Sequence, residues 1–189
     1  MKGQSKNFLE NRKLALIVLV LLCVFSIFVM GPTKLKNLRN EALQVFRSGT
    51  HDGYTLSVYT DVRGAGENAN RLASAAEAAL GENDEQILTL KALSEEILSS
   101  DDPETMLTAF SALARTADSV YIRLSDANAS ENAMEQARQA SANILSASNT
   151  IEKDEYFALA QNFNERRSGF PASLLAWLSG ADALYTGGK

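Results

Sequence analysis

The chain has 189 residues, a formal net charge of −5, three Pro and a single Trp, room for one domain of ordinary size plus a short extra segment. The acidic balance excludes a nucleic-acid binder that relies on basic charge. The lone cysteine, Cys23, excludes a disulfide within the chain and a cysteine-built metal site.

Residues 1–13 form a basic tail carrying Lys2, Lys6, Arg12 and Lys13. Leu14–Met30 follows with no charged residue and Ser26 as its weakly polar interruption. As a helix this run spans ~26 Å against a hydrocarbon core of ~30 Å, with Gly31 and Pro32 adding length at the exit. A cleaved signal peptide would have an apolar region of about 7–15 residues and a small-x-small site. Here the run ends in Phe28-Val29-Met30-Gly31-Pro32, and Cys23 sits in mid-segment rather than at a lipoprotein position. The run is therefore read as an uncleaved single-pass anchor in the cell membrane. Lys34, Lys36 and Arg39 follow it, so four cations precede the span and three follow. That difference of one tilts the orientation toward a cytoplasmic N terminus and an exported domain.

Residues 31–185 are expected to form one all-α domain, an antiparallel up-and-down bundle of about four long helices, with a flexible tail at 186–189. Ala, Leu, Glu, Ser and Asn dominate, which suits helices better than pleated strands. A first stripe runs Leu35, Leu38, Ala42, Val45 and ends in the turn that begins at Ser48-Gly49. A second runs Val58, Val62, Ala65, Ala69, Leu72, Ala76, Ala79. Gly64 and Gly66 interrupt it and are read as a kink, close approach of a neighbouring helix being the alternative. Ile87, Leu90, Ser94 and Ile97 continue after Gly81. Met106, Phe110, Leu113, Ala117, Val120 and Leu124 give the clearest stripe, and Met134, Ala137, Ser141, Ile144, Ser148 and Ile151 the last. Alternating steps of three and four place these side chains on narrow seams, as in bundles whose helices cross at roughly 20°. Asp102-Pro103-Glu104 has the residues of a helix start, with Asp102 as cap, and Ser130 is expected to cap another.

No constellation for chemistry is apparent. His51 is the single histidine, beside Asp52 in a Gly-flanked loop, without a second His or a Cys motif to share a metal or a proton. The carboxylate pairs Glu95-Glu96, Asp101-Asp102 and Asp154-Glu155 read as solvated faces or caps. No phosphate-cradling glycine loop, nucleophile elbow or Glu-x-x-His pair occurs. Asn128-Ala129-Ser130 matches a glycosylation sequon, a match short enough to arise by chance. Arg166-Arg167 reads as part of a polar helix face or a contact to lipid headgroups. The expectation is no catalytic, cofactor or metal residue.

Near the C terminus, proline geometry ends a helix at Phe170-Pro171. Leu174, Leu175, Trp177, Leu178, Leu184 and Tyr185 then form a short apolar segment. The favoured reading folds it back to cap the bundle core. The alternative lays it on the membrane or a partner, with Trp177 and Tyr185 at the interface.

The pattern Tyr156, Phe163-Asn164, Phe170-Pro171, Ala176, Gly180 resembles the closing signature of the LemA family of bacterial membrane proteins. Leu38-Arg39-Asn40, directly after the anchor, resembles that family's Leu-Arg-Asn segment, and Asp61-Val62 its Asp-Val. The chain departs from the family in Gly64–Leu72, in Tyr156-Phe157 where a Tyr-Asn pair would stand, and around His51. The resemblance implies a bacterial envelope protein with an anchor and a helical bundle, and it implies no reaction. The function expected is a non-enzymatic scaffold or protein-interaction module at the cell envelope. Its partners would be the bilayer, through Leu14–Met30, and other proteins or copies of itself, but no nucleic acid. The alternative is a membrane-tethered sensor bundle that binds a small ligand and signals through a partner.

Overall fold

The computed structural model describes residues 12–50 and 56–187, and the side chains of all of these except Arg12, Lys13, Leu14, Val24, Ile27 and Val29. The chain is an all-α bundle, with no strand among the described residues. Its helices are α1 (Arg12–Ser48), α2 (Val58–Leu80), α3 (Glu85–Ser99), α4 (Pro103–Asp126), α5 (Glu131–Ile151), α6 (Glu155–Ser168) and α7 (Ala172–Ser179).

Most helix starts are set by a side chain that accepts orphan N–H groups. Ser57 accepts from Thr60, Asp84 from Gln86 and Ile87, Asp102 from Thr105, Ser130 from Ala133 and Asp154 from Tyr156. Each such cap contributes about 1 kcal/mol. Asp102 and Ser130 act as the sequence suggested, and Pro103 occupies the first turn of α4. Gly49, at φ 74°, closes α1 with its N–H donating to Val45.

Helices α2 to α5 form an up-and-down bundle in which α2 packs against α3, α4 and α5. The short connections between consecutive members make each antiparallel to the next. All six stripe residues of α4, from Met106 to Leu124, are buried, as are Ile87, Leu90, Ser94 and Ile97 of α3. On α2 the buried stripe runs from Val58 to Ala76; Ala79, expected to continue it, is exposed in the last turn before the Gly81 loop.

Helix α2 is continuous through Gly64 and Gly66, and of the two readings of these glycines the contacts at Gly66 support close approach of a neighbouring helix. Ser94 donates its hydroxyl to the Gly66 carbonyl at 2.8 Å. A Cβ at Gly66 would lie 3.3 Å from Ile97 Cγ2 and 3.4 Å from Leu98 Cγ, whereas one at Gly64 meets nothing within 4 Å.

The other helices make a separate layer. Although only a short loop joins α5 to α6, α6 does not return along α5; α6 and α7 pack on α1 and on each other. The expected first stripe holds at Leu35 and Ala42, which are buried, while at its end Phe46 is fully buried and Val45 only partly. Phe46 meets Tyr59 at the start of α2 (ring centroids 6.3 Å) and Tyr156 at the start of α6 (5.2 Å). This aromatic junction joins a stem of α1, α6 and α7 to one end of the α2–α5 bundle.

Helix α1 continues through Pro32 without interruption, so the apolar run and the first stem helix are one element. Among the described residues no helix is long and apolar enough to cross a membrane. The side chains of Leu14, Val24, Ile27 and Val29, part of the expected span, lie outside the description.

Candidate functional site

The residues singled out by the C-terminal pattern come together in the stem. Tyr156, Phe163 and Ala176 are buried, Leu38 and Arg39 half-buried, and Asn40 exposed. Phe163 belongs to the face that α6 turns to the core, seven residues from Tyr156 by way of the buried Ala160. Asn164 beside it reaches across to the chain end. Its Nδ2 donates to the Leu184 carbonyl at 2.7 Å, and Leu184 N–H donates to its Oδ1 at 3.0 Å. One side-chain amide thus satisfies both backbone groups of a residue in an extended tail. Gly180, at φ 63°, ends α7 in the left-handed region that glycine adopts without strain, and Ala181 N–H closes the turn on the Ala176 carbonyl.

The expected capping by the C-terminal segment holds for only part of it. Leu175 and Leu184 are buried, but Leu174, Leu178 and Trp177 are 43%, 56% and 78% exposed. Helix α7 packs on α1 and α6 of the stem, and Leu175, Ala176, Ala181 and Leu184 join the same buried cluster as the core residues of the bundle. Helix α7 has one face turned to α1 and another turned away. Phe170 is 88% exposed, and Pro171 half-buried beside it.

Polar groups in the stem serve packing more than chemistry. The Tyr156 ring is wholly buried between Phe46 and Phe157. Burial, reinforced by the charge of Asp102, raises its phenol far above the ordinary tyrosine value, against a smaller opposing effect of Arg39. It stays neutral at any physiological pH and cannot serve as a base. Its hydroxyl and Arg39 Nε are buried side-chain atoms without a hydrogen-bond partner.

The junction also brings two carboxylates together. Burial raises the pKa of Asp61, and the charge of Asp154 adds to that rise; burial raises Asp154 as well. Asp154 is committed to capping α6, donated to by Tyr156 N–H at 2.8 Å. Nearby, the Tyr59 hydroxyl donates to Asp101 at 2.9 Å, and Arg63 donates to the Leu98 carbonyl at 3.0 Å. These bonds tie the start of α2 to the turn between α3 and α4. At the opposite end of the bundle Arg123 forms a two-pronged pair with Asp84, at 2.9 and 2.6 Å. The guanidinium holds the Asp84 carboxyl below its usual range.

One concave feature lies between α2 and α5. A polar groove of about 430 Å³ is lined by Asn68, Asn70, Arg71, Ser74, Gln136 and Gln139, and Asn68 also borders a second hollow that runs toward Asp61 and Thr150. Asn143 donates to Asn68 at 3.0 Å between the two. This amide-rich seam left no sequence signal, because its residues come from two helices more than sixty positions apart. The Asp84–Arg123 pair left no sequence signal either, because its members stand 39 positions apart.

His51 lies outside the described residues. Among the described residues no group of three or more His, Cys, Asp or Glu is placed to hold a metal ion. No family model, no curated protein and no solved structure matches the chain, so the likeness to the LemA family rests on the residue pattern quoted above.

Proposed function

We propose that this chain is a membrane-anchored, non-enzymatic helical-bundle protein of a bacterial envelope, a LemA-like scaffold that presents its α2–α5 bundle to partner proteins or to further copies of itself. The observation that carries this reading is the exposure, on every side, of the first part of α1. Leu16, Ile17, Val18, Leu19, Val20, Leu21 and Leu22 are each 39–62% exposed. Consecutive positions cover about two turns of helix, so they point in all directions around its axis. A single protein surface covers one stripe of a helix, whereas a bilayer covers its whole circumference. Leu14–Met30 is then the span.

Gly31 and Phe46 are separated along α1 by roughly 22 Å at helical rise, which sets the bundle's near end that far from the point of exit. The stem therefore works as a spacer. The paired polar side chains serve caps, inter-helix ties and pairs within one helix such as Arg138–Glu135 and Arg166–Asn162, a pattern suited to a rigid presenting surface.

Crosslinking in native membranes followed by co-purification tests the scaffold reading: a discrete partner or a defined oligomer supports it. Retention in the membrane pellet after alkaline carbonate tests the anchor, and a mature N terminus near Gly31 would overturn it. The α2–α5 groove favours a second reading, a tethered sensor for a small polar ligand, because its volume falls in the range of small-molecule sites. Ligand-dependent thermal shifts abolished by Arg71→Ala, in a chain that crosslinks to nothing, would favour the sensor.

A further inference from the structure

Helix α7 stands at the level where α1 leaves its exposed apolar half. Leu175 on its inner face is buried so close to the α1 backbone that a Cβ at Gly31 would lie 2.5 Å from Leu175 Cδ1. Its outer side carries Phe170, Leu174, Trp177 and Leu178, spaced so that the last three share one helical face. These side chains are 88%, 43%, 78% and 56% exposed. At the same height on α1, Phe28 and Met30 are 48% and 64% exposed. The Gly31–Leu175 approach thus sets α7 beside the end of the exposed apolar part of α1.

The composition agrees with a boundary rather than a core. No charged residue occurs from Ser168 to Ala181, while Arg166 and Arg167 precede that stretch and Lys34 and Lys36 follow the apolar run on α1. Lys34, Lys36 and Arg166 are exposed. A tryptophan among leucines with a basic rim is the arrangement that the headgroup–acyl boundary of a bilayer accommodates.

We propose that Phe170, Leu174, Trp177 and Leu178 dock into the interfacial layer of the same bilayer that holds α1, giving the protein a second membrane contact. This inference rests on the reading of α1 as the anchor. Its consequence is mechanical: a stem held by one span can tilt, whereas a stem with α7 locked to α1 through Leu175 and seated on the surface stands at a fixed angle. The Asn164 clamp on Leu184 and the Gly180 turn hold the chain end that follows α7, and so help to fix α7 in that position.

The test uses the full chain in phosphatidylcholine vesicles containing phosphatidylglycerol. Trp177 is the only tryptophan, so its emission reports this face alone. The expected result is blue-shifted emission, quenched about twofold more by lipids brominated near the headgroup end of the acyl chain than by lipids brominated near its terminus. In the double variant L174D/L178D, which alters only exposed positions, the emission should shift to the red and the quenching should be lost, with carbonate-resistant retention unchanged. Red-shifted, unquenched emission in vesicle-retained protein overturns the α7 proposal and leaves the anchor standing. Blue-shifted emission insensitive to brominated lipid also overturns it, in favour of a protein partner or a second copy on this face. Loss of the chain from the vesicles in carbonate overturns the anchor reading and this inference together.

Discussion

Replacing Asn164 by alanine should free the chain end while leaving the α2–α5 bundle nearly untouched. The amide makes two hydrogen bonds with the backbone of Leu184, at 2.7 and 3.0 Å, and Leu184 is itself only 7% exposed. Truncation leaves an N–H and a C=O unpaired in a partly dry site, at a cost of about 1–3 kcal/mol. Burial of the Leu184 side chain contributes about 1.5–3 kcal/mol, against an ordering cost of about 1–2 kcal/mol for each backbone residue of the tail. Docking of the tail is thus close to balance, and the clamp decides it. Hydrogen exchange supplies the assay: the Leu184 amide should exchange about 10- to 100-fold faster in Asn164→Ala. The Ala181 amide, held by the Ala176 carbonyl at 3.0 Å, should change much less. Asn164→Asp refines the test. A carboxylate still accepts from Leu184 N–H but repels its carbonyl, and protonation restores a donor. Protection of Leu184, corrected for intrinsic exchange, should therefore be low at neutral pH and recover as pH falls through the carboxyl pKa. Unchanged Leu184 exchange in both variants would refute the clamp.

Three further outcomes follow from the packing. Leu113 is fully buried in α4, so Leu113→Ala should lower stability in urea by about 2–5 kcal/mol; Arg115→Ala, on the exposed face of the same helix, should cost less than about 1 kcal/mol. Gly64→Ala, with open space around it, should stabilise α2 by about 0.5–1 kcal/mol. Gly66→Ala should gain less or destabilise, because Ile97 and Leu98 must give way, and equal effects at the two glycines would contradict the close approach of α3. Asp61 has its pKa raised by burial and by Asp154. The protonated form is favoured by folding, so its stabilisation is complete below the ordinary value of 3.8 and is lost as pH rises through the folded-state pKa. The advantage of Asp61→Asn over the native chain should therefore be greatest near neutral pH and narrow toward pH 3.8, read by urea denaturation across that range.

The bundle was legible because its seams repeat. Met106 through Leu124 and Ile87 through Ile97 are spaced in threes and fours, and a helix that buries one stripe has few other ways to satisfy that spacing. Asp102 and Ser130 were legible as caps for a local reason, since a cap and the N–H it accepts from lie within three residues. The stem was not legible. Whether α6 returns along α5 or departs to α1 depends on contacts between residues more than a hundred positions apart, of which Phe46 and Tyr156 are one pair. Gly66 left two readings open because sequence alone shows a missing side chain without showing what fills its place; here Ser94 and Ile97 do.

The pattern at the chain's end takes on a physical meaning from these placements. Asn164, Ala176 and Gly180 contribute, in turn, an amide that closes a backbone, a small residue buried in α7 and a left-handed turn. None of these demands a reacting partner, and the Asn164 clamp works only if the tail comes back to α6. The buried half of the pattern builds the stem, while Phe170, at the head of α7, is left on the outside with Trp177. A chain selected only for compactness would gain by turning those aromatic groups inward, where each would bury a large apolar surface. Their exposure beside the apolar half of α1 is understandable if the medium around that end of the stem is not water. The bilayer proposed above would account both for that exposure and for Leu16–Leu22.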